Sequence, residues 1–156
     1  MGEVVIRKAR KDDLEEIVVL AKQLWDTEKP FDLNLEDNYY ETEEGKDGLL
    51  KDIRSRKRFF LVALIDTKVV GFVDGNIIEN DGVYRQDVAY LSRLSVMDSC
   101  RGMGIGTKLI DEFNKTAKER GCSFVKINAF IGNTPAVNLY RKKGFKDYSM
   151  YFMMKI

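Results

Sequence analysis

The chain has 156 residues, of which 44% are hydrophobic and 33% charged, with only two prolines, so it reads as one globular domain over residues 1–156 and not as a disordered, collagen-like or mucin-like chain. Twenty-six Lys and Arg against 25 Asp and Glu leave a net charge of +1, which gives no global field toward nucleic acid or a membrane, so neither is expected as a partner. Histidine is absent, which removes the Ser-His-Asp triad, the Cys-His pair and every zinc site built on imidazole; no metal is expected.

Val4-Val5-Ile6 reads as a short strand, and Lys11-Asp12-Asp13 offers a helix start before Leu14, Ile17, Val18, Leu20, Ala21 and Leu24, an apolar stripe at helical spacing. From Asp26 to Asp47 nine acidic and two basic residues are interleaved with Phe31, Leu33, Leu35, Tyr39 and Tyr40, the pattern of an irregular or partly helical connection. Leu49, Leu50 and Ile53 mark a second helix with a basic end, as the helix dipole favours. Phe59 to Ile65 and Val69 to Ile78, joined by Asp66-Thr67-Lys68, predict an antiparallel hairpin. Val88 to Met97 alternates and predicts a strand with Val88, Tyr90, Ser92, Leu94 and Val96 on one face and Ala89, Leu91, Arg93 and Ser95 on the other. The glycine-rich run Arg101 to Gly106 leads into a helix marked by Leu109, Ile110, Phe113 and Ala117 and closed by Gly121. Phe124 to Ala129 is a further strand, Asn133-Thr134-Pro135 starts a further helix that Gly144 ends, and Phe145 to Ile156 reads as one or two pairing strands. Hairpins mixed with strand-helix-strand crossovers place the chain in the α+β or mixed α/β class, around one sheet.

The turn Arg101-Gly102-Met103-Gly104-Ile105-Gly106 can aim successive backbone N–H groups into one concavity, with a helix N-terminus and the charges of Arg101 and Lys108 beside it, which suits a diphosphate. A dinucleotide fingerprint does not fit, because Thr107 or Leu109 stands where its third glycine belongs, and no Walker A loop is present. Taken alone, the turn reads first as a close-packed strand-to-helix junction, and a second motif has to decide for a ligand. A nucleotide-binding domain is one alternative for it.

A second segment begins with Asn133 and runs Asn133-Thr134-Pro135-Ala136-Val137-Asn138-Leu139-Tyr140-Arg141-Lys142-Lys143-Gly144-Phe145. Together the two segments resemble the GNAT superfamily of N-acetyltransferases, whose acetyl-CoA loop reads R/Q-x-x-G-x-G/A and whose later segment reads N-x-x-A-x-x-L-Y-x-K-x-G-F. Arg101, Gly104 and Gly106 match the first, and Asn133, Ala136, Leu139, Tyr140, Lys142, Gly144 and Phe145 match the second.

The resemblance implies a central, mostly antiparallel sheet with a parallel, splayed pair of strands and about four flanking helices. It implies acetyl-CoA as acetyl donor, a primary amine as acceptor, and direct transfer in a ternary complex. The backbone of Leu94, Ser95 and Val96 would pair with the pantetheine arm. The loop from Arg101 through Gly102, Met103, Gly104, Ile105 and Gly106 to Thr107 would hold the pyrophosphate, and Asn133 would reach the pantetheine or phosphate, or cap its helix. Tyr140 would protonate the departing thiolate. A non-catalytic module that senses CoA is the alternative reading of the same residues.

Some family members carry a carboxylate on the strand before the loop, whereas Tyr90, Ser92 and Arg93 stand there in this chain; Asp74, Glu79 and Asp87 are the nearest acids, and a water chain is as acceptable a base. The acidic segment fits a cationic acceptor, such as a polyamine, a lysine side chain or an aminoglycoside, or else a solvated face. Arg141, Lys142, Lys143 and Lys146 would meet the 3′-phosphate of CoA or merely solvate a helix end. The C-terminal run would either pair across a homodimer or close its own sheet. Cys100 and Cys122, 22 residues apart, match no metal clip or disulfide framework; with no apolar leader and no long apolar run, the expectation is a cytoplasmic protein.

Overall fold

The computed structural model describes residues 2–156. Five strands, β1 (Val4–Lys8), β2 (Arg58–Ile65), β3 (Lys68–Ile78), β4 (Val88–Val96) and β5 (Phe124–Ile127), form one sheet in the order β1-β2-β3-β4-β5. The first four are antiparallel neighbours, and β5 joins β4 in parallel. The helices are α1 (Leu14–Glu28), α2 (Glu43–Arg54), α3 (Ile105–Glu119) and α4 (Thr134–Lys142). This is the mixed fold expected, down to the single parallel pair, whose crossover is α3.

Each face of the sheet has its own core, because alternate side chains along a strand point to opposite sides. Ile17, Leu20 and Ala21 of α1 and Leu49 and Ile53 of α2 pack with Phe60, Val62 and Phe72 on one face. Ile105, Leu109, Ile110 and Phe113 of α3 pack with Phe59, Val73, Ala89 and Leu91 on the other. The acidic connection is tied to α1 by aromatic contacts: Tyr39 stacks on Trp25 and Tyr40 meets it edge-on, each at 5.4 Å, while the Trp25 indole donates to the Glu36 carbonyl at 2.7 Å.

Two expectations change. Strict alternation along β4 breaks, since its register passes from Gly75↔Leu91 directly to Asp74↔Arg93 and leaves Ser92 as a β-bulge. Leu91 and Leu94 therefore share the α3 face. Residues 146–156 form no strand: Phe145 N–H folds back onto the Tyr140 carbonyl at 3.0 Å, and no ladder follows. A strand exists only against a partner, and this segment meets none among the described residues.

Candidate active site

β4 and β5 pair only over Val88–Leu91 and Phe124–Ile127, so the second half of β4 has no neighbour on that side. Met97 N–H donates to the Val70 carbonyl at 2.8 Å, and antiparallel pairing alternates from there. Ser95 and Arg93 thus direct their main chain to β3, whereas Leu94 and Val96 turn their N–H and C=O toward the gap. Ser95 itself is buried, its hydroxyl donating to the Leu20 carbonyl at 2.9 Å. The Val96 carbonyl is taken by the Gln23 side-chain amide at 2.9 Å, and the Gln23 oxygen accepts from Asp98 N–H at 3.0 Å. Gln23 thereby anchors α1 to the end of β4.

Beyond the gap a single 3-10 turn, Asp98–Cys100, leads into the glycine run and α3. Gly102 and Gly104 both have φ +78°, and a Cβ on either would meet nothing within 4 Å, so the backbone angle and not crowding calls for glycine. Lys108 N–H is bonded to the Gly104 carbonyl at 3.1 Å, which leaves the Ile105, Gly106 and Thr107 amides as the unpartnered first turn of the helix. Arg101, four residues before Ile105, is half-exposed and paired with Asp98 at 2.9 Å. A Cβ on Gly106 would lie 3.5 Å from Leu139 and 3.8 Å from Val96, so α4 and the end of β4 converge on this turn.

Asn133 caps α4, its side-chain oxygen accepting from Ala136 N–H at 3.4 Å. Tyr140, two residues before the end of α4, meets Phe145 edge-on at 6.0 Å. Burial, and secondarily the charge of Glu28, push the Tyr140 phenol above its ordinary value, so it keeps its proton across the working range. Arg141 is engaged by Asp147 and Lys143 by Asp111.

Of the acids near in sequence, Asp74 is fully buried and held by Arg93 (2.7 and 2.8 Å) and Arg58. Asp87 accepts from Asn80 N–H at 2.8 Å, and Glu79 is exposed just past the end of β3. Asp87 and Glu79 flank the Val88 end of β4, about 20 Å along the strand from Leu94. Ser92 at the bulge is exposed, with Arg58 3.2 Å from its hydroxyl.

The structure adds two residues that the sequence reading does not single out, Gln23 and Glu28. Glu28 follows Leu24 at i+4 and so continues the apolar stripe of α1 with a carboxylate, which is the signal that marks it. Burial alone raises its carboxyl above the ordinary value.

Residues 6–145 match the Acetyltransferase (GNAT) family. The chain is 31% identical over 145 residues to an uncharacterized N-acetyltransferase of Methanocaldococcus jannaschii, covering 91% of this chain and 60% of that relative, so it spans less than two-thirds of that protein's length. It is 30% identical over 156 residues to the thialysine N-epsilon-acetyltransferase of Mus musculus, covering 94% of this chain and 86% of the relative. Among solved structures, a PaiA N-acetyltransferase from Thermoplasma acidophilum in complex with coenzyme A superposes with a TM-score of 0.79 at 27% identity, covering 96% of this chain and 93% of that one.

Proposed function

The chain belongs to the GNAT family of acetyltransferases, and from that premise we propose that it moves an acetyl group from acetyl-CoA to a cationic primary amine by direct attack in a ternary complex. The observation that carries this reading is the parting of β4 from β5, which turns the main chain of Leu94 and Val96 toward a gap that continues into the free amides of Ile105, Gly106 and Thr107.

An extended pantetheine arm fits that open edge as an added strand, and a diphosphate fits the amide-lined first turn of α3, with Arg101 free to exchange Asp98 for phosphate. A main-chain N–H in the gap stabilises the oxyanion that develops on the thioester carbonyl. Tyr140 holds its proton until the thiolate leaves and then supplies it. Asn133 spends its oxygen on the cap of α4 and offers its amide nitrogen to the pantetheine.

A cationic acceptor is favoured by the nine acidic residues between Asp26 and Asp47, held against α1 by Trp25, Tyr39 and Tyr40. The mouse relative, by its name, acetylates a lysine analogue. We also assign the C-terminal run to a contact with a second copy. Tyr148, Met150, Tyr151, Phe152, Met153, Met154 and Ile156 are each at least 64% exposed, more contiguous apolar surface than a solitary soluble domain ordinarily shows. Sedimentation of the full chain checks this, a monomer at all concentrations counting against it. No described helix is long and apolar enough to cross a membrane, and both cysteines are free; the cytoplasm is the compartment we assign.

The deciding experiment is thiol release from acetyl-CoA with amines of graded charge, coupled to mass spectrometry for a gain of one acetyl unit. Spermidine and lysine-like amines should outrun neutral arylamines, and Tyr140→Phe should lower kcat by roughly 10²- to 10⁴-fold while CoA still binds. Equal rates for neutral and cationic amines would remove the acceptor class. No transfer to any amine would leave only CoA binding.

A further inference from the structure

An amine attacking a thioester must shed a proton, and the carboxylates nearest β4 are unsuited to take it. Asp74 is enclosed by two guanidinium groups, while Asp87 and Glu79 lie at the far end of the strand. The remaining question is which element places a free carboxylate over the gap.

α1 does. Five residues before its end, Gln23 fixes the helix to the Val96 carbonyl and Asp98 N–H. Three residues after its end, Phe31 stacks on Phe130 at 6.0 Å, and its ring lies so close to the next loop that a Cβ on Gly132 would sit 2.8 Å away. The end of α1 therefore bridges from the last residue of β4 to the connection between β5 and α4, across the mouth of the opening. Glu28 is the last residue of that helix. Its charge reaches Tyr140 on α4.

Resting on the acetyl-transfer reading above, we propose that Glu28, held over the gap by the Gln23 and Phe31 anchors, accepts the proton that the attacking amine gives up. The free amine adds to the thioester carbonyl carbon and forms the C–N bond. Its N–H proton passes to a Glu28 carboxylate oxygen. The C–S bond breaks with its electron pair on sulfur, which takes the phenolic proton of Tyr140. The proton on Glu28 then returns to the Tyr140 phenolate, directly or through water, and both groups are reset without an outside reagent.

The surroundings suit this task. Burial raises the Glu28 carboxyl above its ordinary value. The charge of Glu28 acts on Tyr140 of α4, and the ammonium of Lys29, next in the chain, is taken by Asp37. With burial acting on the carboxyl, its pKa is raised toward neutrality, and such a carboxylate is a better base than an ordinary one.

The test is the pH dependence of kcat with saturating acetyl-CoA and the best amine of the panel, for the parent chain, Glu28→Gln and Glu28→Asp, with CoA affinity by calorimetry as the measure of an intact site. Glu28→Gln should lower kcat by roughly 10²- to 10⁴-fold and abolish the acid limb of the profile with CoA affinity unchanged, and Glu28→Asp should retain the limb at an intermediate rate. Three results would overturn the proposal alone: kcat of Glu28→Gln within about threefold of an active parent with the same profile, a rise in KM with kcat preserved, or Glu28→Asp no better than Glu28→Gln. An inactive parent that still binds CoA would instead strike the acetyl-transfer reading, and this proposal with it.

Discussion

Leu91 and Leu94 bury their side chains on the same side of the sheet, under α3, although residues three apart in a regular strand face opposite ways. The bulge at Ser92 absorbs the difference. It falls just where β5 stops pairing, so one irregularity both packs Leu94 against the α3-side core and turns its main chain to the gap.

Gly75, paired with Leu91 beside the bulge, is the position that this geometry constrains most. A Cβ there would stand 2.1 Å from the Tyr90 carbonyl oxygen and 2.8 Å from the Phe113 ring. Gly75→Ala should therefore destabilise the fold by about 1–3 kcal/mol, as overpacking does. Urea unfolding measures it, and a midpoint equal to the parent's would show that strand and helix are not so closely apposed.

Asp74 sits one residue earlier and is fully buried between Arg93 and Arg58, with Arg93 also reaching Asp52 of α2 at 2.6 Å. Removing the carboxylate leaves two guanidinium groups partly buried and short of a counter-charge. Asp74→Ala should cost about 3–5 kcal/mol. Asp52→Ala should cost less, because Asp52 is 27% exposed and water can replace it. If the two losses were equal, Asp74 would not be the centre of the cluster.

What could be read from the sequence follows the range of the interactions involved. The glycine run, the Asn133 cap and the hairpin at Asp66 are written in neighbouring residues, and each element forms where its residues indicate. The β4 bulge depends on register against β3, which no local pattern encodes. Gln23 contacts Val96 from 73 residues away, and the place of Glu28 at the gap follows from the docking of Phe31 on Phe130. The C-terminal run has the composition of a strand but no strand partner among the described residues, and strand propensity without a neighbour does not make a strand.

At the opposite edge of the sheet, Asp13 accepts from Arg7 at 2.7 and 2.8 Å and from Arg10 N–H at 2.7 Å. The Arg7 hydrogen bonds are the largest influence on its carboxyl; they outweigh the cost of burial and, with Arg10, hold it below its ordinary 3.8. A carboxyl depressed in the folded state stabilises the fold while ionised. Its contribution is complete above 3.8 and drains away as pH falls from there through the lower folded value. Asp13→Asn should be less stable than the parent by about 1–3 kcal/mol at neutral pH. That difference should narrow on acidification below 3.8, as followed by urea midpoints. A difference that stays constant with pH would assign the loss to packing.

Gly104 and Gly106 separate two reasons for glycine in one turn. At Gly104 the angle φ +78° is strained for any residue with a Cβ, while the space around it is empty. Gly104→Ala should cost about 1–2 kcal/mol of stability. As the strain relaxes, the amides behind it should turn away from their common focus and CoA affinity should fall at least about tenfold, equivalent to about 1.4 kcal/mol. At Gly106 the backbone is helical and an added methyl would make ordinary contacts with Leu139 and Val96 at 3.5 and 3.8 Å. Gly106→Ala should keep stability within about 1 kcal/mol of the parent, and its CoA affinity should stay within a few-fold. Calorimetric titration of both variants with CoA gives the answer. If Gly106→Ala binds worse than Gly104→Ala, the anion is held by close approach to the helix and not by the left-handed turn that precedes it.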